Sequence, residues 1–176
     1  MSGYLQGLRE AEQKLAQVIS KIERGTKDGL VTAGLLILGE AKKQTPVVTG
    51  NLRSSGYIVA KGRAVPIISF ASTPKFVGKC ASKWASFYTS RVGEHQSEVN
   101  TASDFQVHVG FAVVYAARVH ELPTAGAVDL ERKARMYPSG SYSVVGKWKF
   151  LEDPIKDNFK AIEALVVEGA RTGAGK

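Results

Sequence analysis

The chain has 176 residues, 44% of them hydrophobic and 23% charged, which suits one soluble globular domain over 1–176 with a core of its own. Its formal net charge of +8 favours an anionic partner, but Lys and Arg are spread thinly, so a solvated basic surface is the preferred interpretation. The single cysteine excludes an internal disulfide and favours a reducing compartment. No stretch is long and apolar enough to predict a signal peptide or a membrane span.

A long helical pattern opens the chain and ends at a proline. Over 3–44, apolar residues recur at steps of three and four, which predicts either one helix kinked near Gly25 or two helices meeting there. Segment 30–38 is apolar nearly all round, which predicts burial by more than one neighbour. Because proline disfavours helical geometry in the residue before it, Pro46 predicts a helix end near 44–45.

Strand patterns follow the helix. Gly50 allows a sharp reversal of the backbone, so a helix-to-strand elbow is predicted around it. Segments 56–61 and 65–70 have the composition of two strands joined by a turn. Segment 105–115 alternates apolar and polar residues and has the clearest strand pattern. Segment 147–151 predicts a further short strand with its two aromatic residues turned inward.

Two long segments lack the regular spacing of apolar residues that is typical of a helix or a strand. Segments 71–104 and 122–147 are therefore predicted to be loops, the first with one short helix, and loops of this length are usually functional or disordered. A last helix is predicted over 153–168, with Asp153 as its N-cap. The small, polar tail 169–176 is expected to fray.

Together these elements predict an α+β fold. A small antiparallel sheet of three to five strands, from within 56–70 and 105–121, would pack against the long N-terminal helix and the C-terminal helix. The two long loops would leave this layered body and reach towards neighbours.

The spacing of reactive residues predicts no enzyme and no metal or cofactor site. His95, His108 and His120 lie far apart in sequence without ligand spacing, and His108 is interpreted as a plain surface histidine on a strand. A nucleophilic pair of Cys80 with His95 is conceivable, but nothing in the sequence orients it. A buried structural thiol is the preferred interpretation of Cys80.

Two groups of residues are candidate contacts with partners. The second loop holds a basic group that could face an acidic neighbour or DNA, made of Arg132, Lys133 and Arg135, with Tyr137 beside them. The first loop holds an aromatic group that could stack on bases, made of Trp84, Phe87 and Tyr88. For the aromatic group, a small satellite core that needs no partner is the preferred interpretation.

Three motifs follow one another along the chain. The first lies in 41–55, with Val48 in place of an acidic residue, and its matching residues are Pro46, Thr49, Gly50, Leu52, Arg53 and Ser55. The second comprises Val109-Gly110-Phe111, then Tyr115-Ala116 and Val119-His120-Glu121, and is followed by Leu122-Pro123-Thr124. The third comprises Phe150-Leu151 and Pro154 at the start of the final helix.

In this order the motifs resemble the tail-completion or neck proteins of long-tailed bacteriophages. The first is similar to that family's Pro-Val-Asp-Thr-Gly-x-Leu-Arg-x-Ser signature. The second is similar to its Tyr-Ala-x-x-x-Glu strand, around Tyr115 and Glu121, although the Gly-Thr that commonly follows the Glu is missing. The third is similar to its closing Pro-Phe-Leu segment.

The resemblance implies a non-enzymatic structural protein of the virion, present in the host cytoplasm during assembly. It would form a homo-oligomeric ring, sixfold or twelvefold, at the head–tail junction, and would contact neighbouring connector and tail proteins. Genomic DNA would pass through the lumen without sequence-specific binding, and no membrane is implied. Three alternatives stay open: a tail-terminator or head-closure ring, a basic nucleic-acid-binding module, and a small hydrolase that uses Cys80 or a histidine.

Overall fold

The computed structural model describes residues 2–46, 50–61, 76, 78–101, 105–121 and 146–175. The helices among them are α1 (Ser2–Gln44), α2 (Asn51–Ser54), α3 (Ala81–Thr101), α4 (Ala116–Glu121), α5 (Glu152–Asp157) and α6 (Phe159–Ala174). The strands are β1 (Gly56–Ala60) and β2 (Val107–Phe111). The predicted α+β fold with three to five strands is therefore wrong, because helices dominate the described residues and their sheet has two strands.

The contacts of the chain divide it into two compact units. One comprises 1–33 with 160–176, and the other comprises 34–159. Each unit is described by itself below.

In the unit 34–159, the two-stranded antiparallel sheet lies between helices. All five residues of β1 are buried, which its run of apolar residues predicts for a strand covered on both faces. Tyr57 and Val59 pack in one core cluster with residues of α3. On the opposite face α1 crosses closely, because a Cβ atom on Gly34 would lie 2.5 Å from Cδ1 of Ile58. The sheet positions α3 and the end of β2, where the candidate site lies.

The α3 helix replaces most of the predicted loop 71–104. It has 21 residues, and Tyr88, Val92 and Val99 are buried along it. These three recur at steps of four and seven, which place them on one side of a helix, while polar residues between them such as Ser90, Glu94 and Ser97 are exposed. The prediction of a loop is therefore wrong. It rested on the polar composition of 93–103, which concealed this sparse apolar stripe. The predicted strand 65–70 lies outside the described residues.

The N-terminal helix is confirmed as one uninterrupted element that ends at Gln44, so the alternative of two helices is wrong. The burial expected of segment 30–38 is confirmed by Val31, Ala33 and Leu38. Gly25 lies where α6 approaches, because a Cβ atom on it would lie 2.1 Å from the carbonyl oxygen of Gly169. Its role is thus close helix packing within the unit 1–33 with 160–176.

The C-terminal region forms two helices, so the single predicted helix 153–168 is wrong. The chain breaks at Asn158, whose side-chain amide donates a hydrogen bond to the Pro154 carbonyl at 2.9 Å. Asp153 lies in the first turn of α5, where it pairs with Lys147 at 2.7 Å, and the N-cap position is occupied by Leu151.

The prediction that the tail 169–176 frays is also wrong, because α6 continues to Ala174. Gly169 and Gly173 hold this last part of α6 against α1. A Cβ atom on Gly173 would lie 2.3 Å from the carbonyl oxygen of Lys21. The glycines that suggested flexibility in the sequence instead permit contact between two helix backbones.

The strand predicted over 147–151 is wrong. Residues 148–151 form a turn that leads into α5, and Lys149 has a left-handed φ of 57°. This turn leaves Trp148 44% exposed while Phe150 is 1% exposed, so one of the two aromatic residues turns inward. The strand predicted over 105–115 is confirmed in part, because β2 covers Val107–Phe111 and the chain leaves the sheet before α4 begins at Ala116.

Candidate functional site

The predicted elbow after α1 is confirmed and contains the short helix α2. Thr45 is fully buried, and its hydroxyl donates a hydrogen bond to the Ala41 carbonyl at 2.6 Å, which closes the last turn of α1. Gly50 precedes α2 with a φ of 79°, a left-handed conformation that favours glycine. The chain then enters β1 through Ser55, whose carbonyl accepts a hydrogen bond from the Ala112 N–H at 3.0 Å. The elbow is thereby joined to the residue that follows β2.

One apolar cluster gathers residues from three distant parts of the chain. Its buried members are Leu52 of α2, Val113 between β2 and α4, Ala116 at the start of α4, and Phe150 of the turn before α5. We call these four residues the anchor cluster. Partly buried residues that pack against it are Phe76, Trp84, Phe111, Tyr115, Val119 and Leu151. Each of the three sequence motifs thus contributes to a single packed centre.

His120 joins α4 to the start of α5. Its ring meets the ring of Phe150 edge-on, with centroids 5.1 Å apart. Its Nε2 accepts a hydrogen bond from the Glu152 N–H at 3.4 Å, so Nδ1 carries the proton of the neutral ring. That Nδ1 lies 2.7 Å from Oε1 of Glu121 and donates to it. The histidine therefore has a positioning role with both ring nitrogens engaged.

Lys149 forms an electrostatic bridge at the same place. Its Nζ lies 2.8 Å from a carboxylate oxygen of Glu121 and 2.8 Å from one of Glu152. The hydrogen bonds from Lys149 and then His120 lower the pKa of the Glu121 carboxyl. Hydrogen bonds from Lys149 and Lys156 lower the pKa of Glu152 to about 2. These exposed pairs tie the end of α4 to the start of α5.

A cavity of about 210 Å³ opens beside the anchor cluster. It is lined by Phe111, Ala116, Ala117, His120, Glu121, Phe150 and Leu151. Sites for small molecules and cofactors usually have volumes of about 300–1,000 Å³. The size and apolar lining of this cavity therefore suit a side chain of a protein partner better than a nucleotide-sized ligand.

The structure places the residues of the predicted motifs in different roles. Leu52 is buried in the anchor cluster, and Tyr115 packs against it. The guanidinium of Arg53 donates to the Thr45 carbonyl at 3.5 Å, across the elbow. Pro46 is half-buried directly after α1. Thr49 lies outside the described residues.

The candidate partner contacts separate into two groups. Arg132, Lys133, Arg135 and Tyr137 lie outside the described residues. Of the aromatic group, Tyr88 is 6% exposed and belongs to the core, so it offers little surface to a partner. Trp84 packs edge-on against Tyr115 at 5.4 Å, and Phe87 lies 6.2 Å from Trp84. The aromatic residues therefore contribute to packing, as the satellite-core interpretation expects.

Sequence reasoning missed one group of chemically active residues. The structure brings His95, Glu98 and His108 together, with one ligand atom of each within 4.8 Å of the others. The available signal was the step of three between His95 and Glu98, which puts both on one side of a helix. That signal was hidden because the segment was predicted to be a loop. Cys80, predicted to be buried, is exposed.

A search of protein families, of curated proteins and of solved structures finds no match to this chain. Among the helices that the structure describes, none has the length and apolarity that crossing a bilayer requires.

Proposed function

We propose that this chain is a structural subunit of the phage head–tail junction, a neck or tail-completion protein that forms a ring around the DNA path. The observation that carries the proposal is the anchor cluster, in which the three motifs of the resemblance pack together. Motifs that belong to one inherited structural unit are expected to pack together, so their contact in the anchor cluster supports the proposal.

Exposed apolar side chains on α1 support a role in assembly. Leu8, Leu15, Val18 and Ile19 are 52%, 61%, 44% and 48% exposed. Their spacing places them along one side of the helix, where an apolar stripe is typical of packing against another helix. At 1.5 Å per residue, the 43 residues of α1 extend over about 65 Å. A helix of this length suits contacts between neighbouring subunits of a ring.

The stripe gives a direct test of self-assembly. The double variant Leu15→Glu/Ile19→Glu places two charges within the stripe, whereas Gln13→Glu/Gln17→Glu places two charges on the opposite side of the same helix. Both variants change the net charge equally, so the pair separates position from charge. Native mass spectrometry and mass photometry of the full chain measure the number of copies per particle.

We expect the wild-type chain and the Gln13→Glu/Gln17→Glu variant to form closed oligomers of six or twelve copies. The Leu15→Glu/Ile19→Glu variant is expected to remain monomeric while keeping its helical circular dichroism. Equal assembly of the two variants would show that the stripe is not the contact. A wild-type chain that stays monomeric, both alone and with purified tail and connector proteins, would contradict the ring.

The basic group Arg132, Lys133 and Arg135 provides a second test of assembly. Changing all three to Glu is expected to block assembly with an acidic neighbour while the unfolding transition of the monomer stays unchanged. Normal assembly of this variant would remove these residues from the interface.

Net charge alone favours a different class, a nucleic-acid-binding module. Such a module would bind free duplex DNA with an affinity that falls steeply as salt rises, because binding releases counterions. Fluorescence anisotropy with a labelled duplex at several salt concentrations separates the two classes. Weak binding supports the structural role, and tight, strongly salt-dependent binding favours the module.

A tail-terminator or head-closure ring differs from the proposed role in its level along the particle axis, which a reconstruction of the particle resolves.

A further inference from the structure

His95, Glu98 and His108 converge where α3 crosses the sheet. His95 and Glu98 are three residues apart on α3, with Nδ1 of His95 2.9 Å from Oε2 of Glu98. His108 lies on β2, directly across from Val59, and its ring is 5.9 Å from that of His95 at an angle of 65°. One ligand atom from each residue lies within 4.8 Å of the other two.

The surrounding structure holds the two histidines in place. The ring of Tyr57 stacks on His95 with centroids 5.6 Å apart and an interplanar angle of 19°. Tyr57 faces Gly110 across the sheet, and a Cβ atom on Gly110 would lie 2.7 Å from the tyrosine hydroxyl, so the glycine leaves room for this ring. The side chain of Gln96 donates to the Ala60 carbonyl at 3.3 Å, which fixes α3 against β1. His95 therefore has a defined position relative to His108.

We propose that His95, Glu98 and His108 bind a divalent transition metal ion, with zinc as the best match, and that this ion links α3 to β2. Two imidazoles and one carboxylate form a donor set that zinc binds, with a fourth position for water. The two imidazole nitrogens are poor ligands for calcium and magnesium, which prefer oxygen. The inference rests on this geometry and is independent of the proposed virion role.

The distances need a modest adjustment on binding. Ligands about 2.05 Å from a tetrahedral zinc ion lie roughly 3.3 Å apart, so the group must contract from its present spread of up to 4.8 Å. Glu98 has a side chain that is 61% exposed, so it can rotate into the coordination sphere without disturbing the core. His95 and His108 are partly buried and supply the fixed part of the site.

The test is isothermal titration of the untagged full chain with zinc chloride, with cobalt absorption spectra as a second measurement. We expect one ion per chain and cobalt bands of a low-coordinate site. Loss of a group outside the coordination sphere already weakens metal sites by about 10–100-fold, so His95→Ala, His108→Ala and Glu98→Gln are each expected to weaken binding at least about tenfold.

The chain offers a matched control. His120 is a histidine outside this group, so His120→Ala is expected to keep the zinc affinity and the cobalt spectrum of the wild type. Glu98→Gln keeps the test valid if a histidine variant fails to fold, because the Glu98 side chain is largely exposed. Absence of binding by the wild type, equal affinity in wild type and Glu98→Gln, or loss of binding in folded His120→Ala alone would overturn the proposal.

Discussion

Gly25 of α1 and Gly169 of α6 approach so closely that a Cβ atom added to Gly169 would lie 2.3 Å from the carbonyl oxygen of Gly25. The same hypothetical atom would lie 2.9 Å from the Cα of Gly29. Real Cβ atoms essentially never come within 3.0 Å of such neighbours, and these neighbours are backbone atoms that cannot rotate away. Two helix backbones therefore touch at this point, and any side chain there would force them apart.

This contact predicts that Gly169→Ala is destabilising. Alanine normally stabilises a helix interior by about 1 kcal/mol relative to glycine, but forcing extra volume into a packed contact costs about 1–3 kcal/mol. We expect the free energy of unfolding to fall in Gly169→Ala, as measured by urea denaturation. Gly39 of α1 is the matched control, because a Cβ atom there meets nothing within 4 Å, and Gly39→Ala is expected to stabilise. Stabilisation by both changes would contradict the close contact.

Phe150 is expected to be a main contributor to the stability of the anchor cluster. It is 1% exposed, and its ring packs edge-on against Phe111 at 5.1 Å. Replacing a buried Phe by Ala costs about 3–5 kcal/mol, so Phe150→Ala should lower the free energy of unfolding by that amount in urea denaturation. Phe159 is 64% exposed, and Phe159→Ala should change the stability by less than about 0.5 kcal/mol. Similar losses in the two variants would argue against the anchor cluster.

Tyr88 is expected to make the protein sensitive to alkali. Burial raises its pKa to about 12, and among the described residues its hydroxyl has no hydrogen-bond partner. The unfolded chain loses this proton near its ordinary pKa of about 10, so the contribution to stability is complete below pH 10 and is lost as the pH rises towards 12.

The variant Tyr88→Phe removes both the titrating group and the unpaired hydroxyl. We expect its free energy of unfolding to fall less steeply than that of the wild type between pH 10 and 12. At pH 7 we expect it to be as stable as the wild type or more stable, because burying an unpaired polar group costs about 1–3 kcal/mol. Urea denaturation at several pH values measures both effects. Identical slopes for the two proteins would mean that Tyr88 is not buried.

Glu152 is expected to contribute to acid sensitivity. Because its pKa in the folded chain is lowered to about 2, its contribution to stability is present above its ordinary pKa and is lost as the pH falls through about 2. Glu152→Gln should therefore flatten the fall of stability at acid pH, and added salt should reduce the difference, because the ion pairs are exposed. Glu163→Gln in α6 is the matched exposed control. Acid unfolding curves that coincide for both variants would contradict this role of Glu152.

Local rules predicted the first part of the fold. Pro46 correctly predicts the end of α1 near 44–45, and the predicted elbow is confirmed around Gly50, whose φ is left-handed. In each case the deciding interaction lies within a few residues, so the sequence pattern alone carries the information.

Tertiary contacts overrode local rules elsewhere. Aromatic and basic residues alternate in 147–151, as is typical of a strand. The left-handed conformation of Lys149 instead turns the chain into α5. The glycines of α6 weaken a helix in isolation, yet Gly169 and Gly173 allow it to pack on α1. Such contacts between distant segments have no signature in a short window of sequence.

The candidate sites could be only partly predicted from the sequence. The motif residues Leu52, Tyr115 and Phe150 were identified by their order, although their convergence was not. The group of His95 with His108 depends on the length of α3 and on the register of β1 with β2, neither of which the sequence pattern fixed. Polar residues on the outer side of α3 concealed its helical period.

The central claim is the place of this chain in a virion. Its most direct test is a symmetry-resolved electron cryo-microscopy reconstruction of phage particles from the source of the chain, with the chain traced in the density. The proposed role predicts a ring of six or twelve copies around the DNA path at the head–tail junction, with the anchor cluster intact in every subunit. Absence of the chain from the particles, or its presence without ring symmetry away from the junction, would contradict that role.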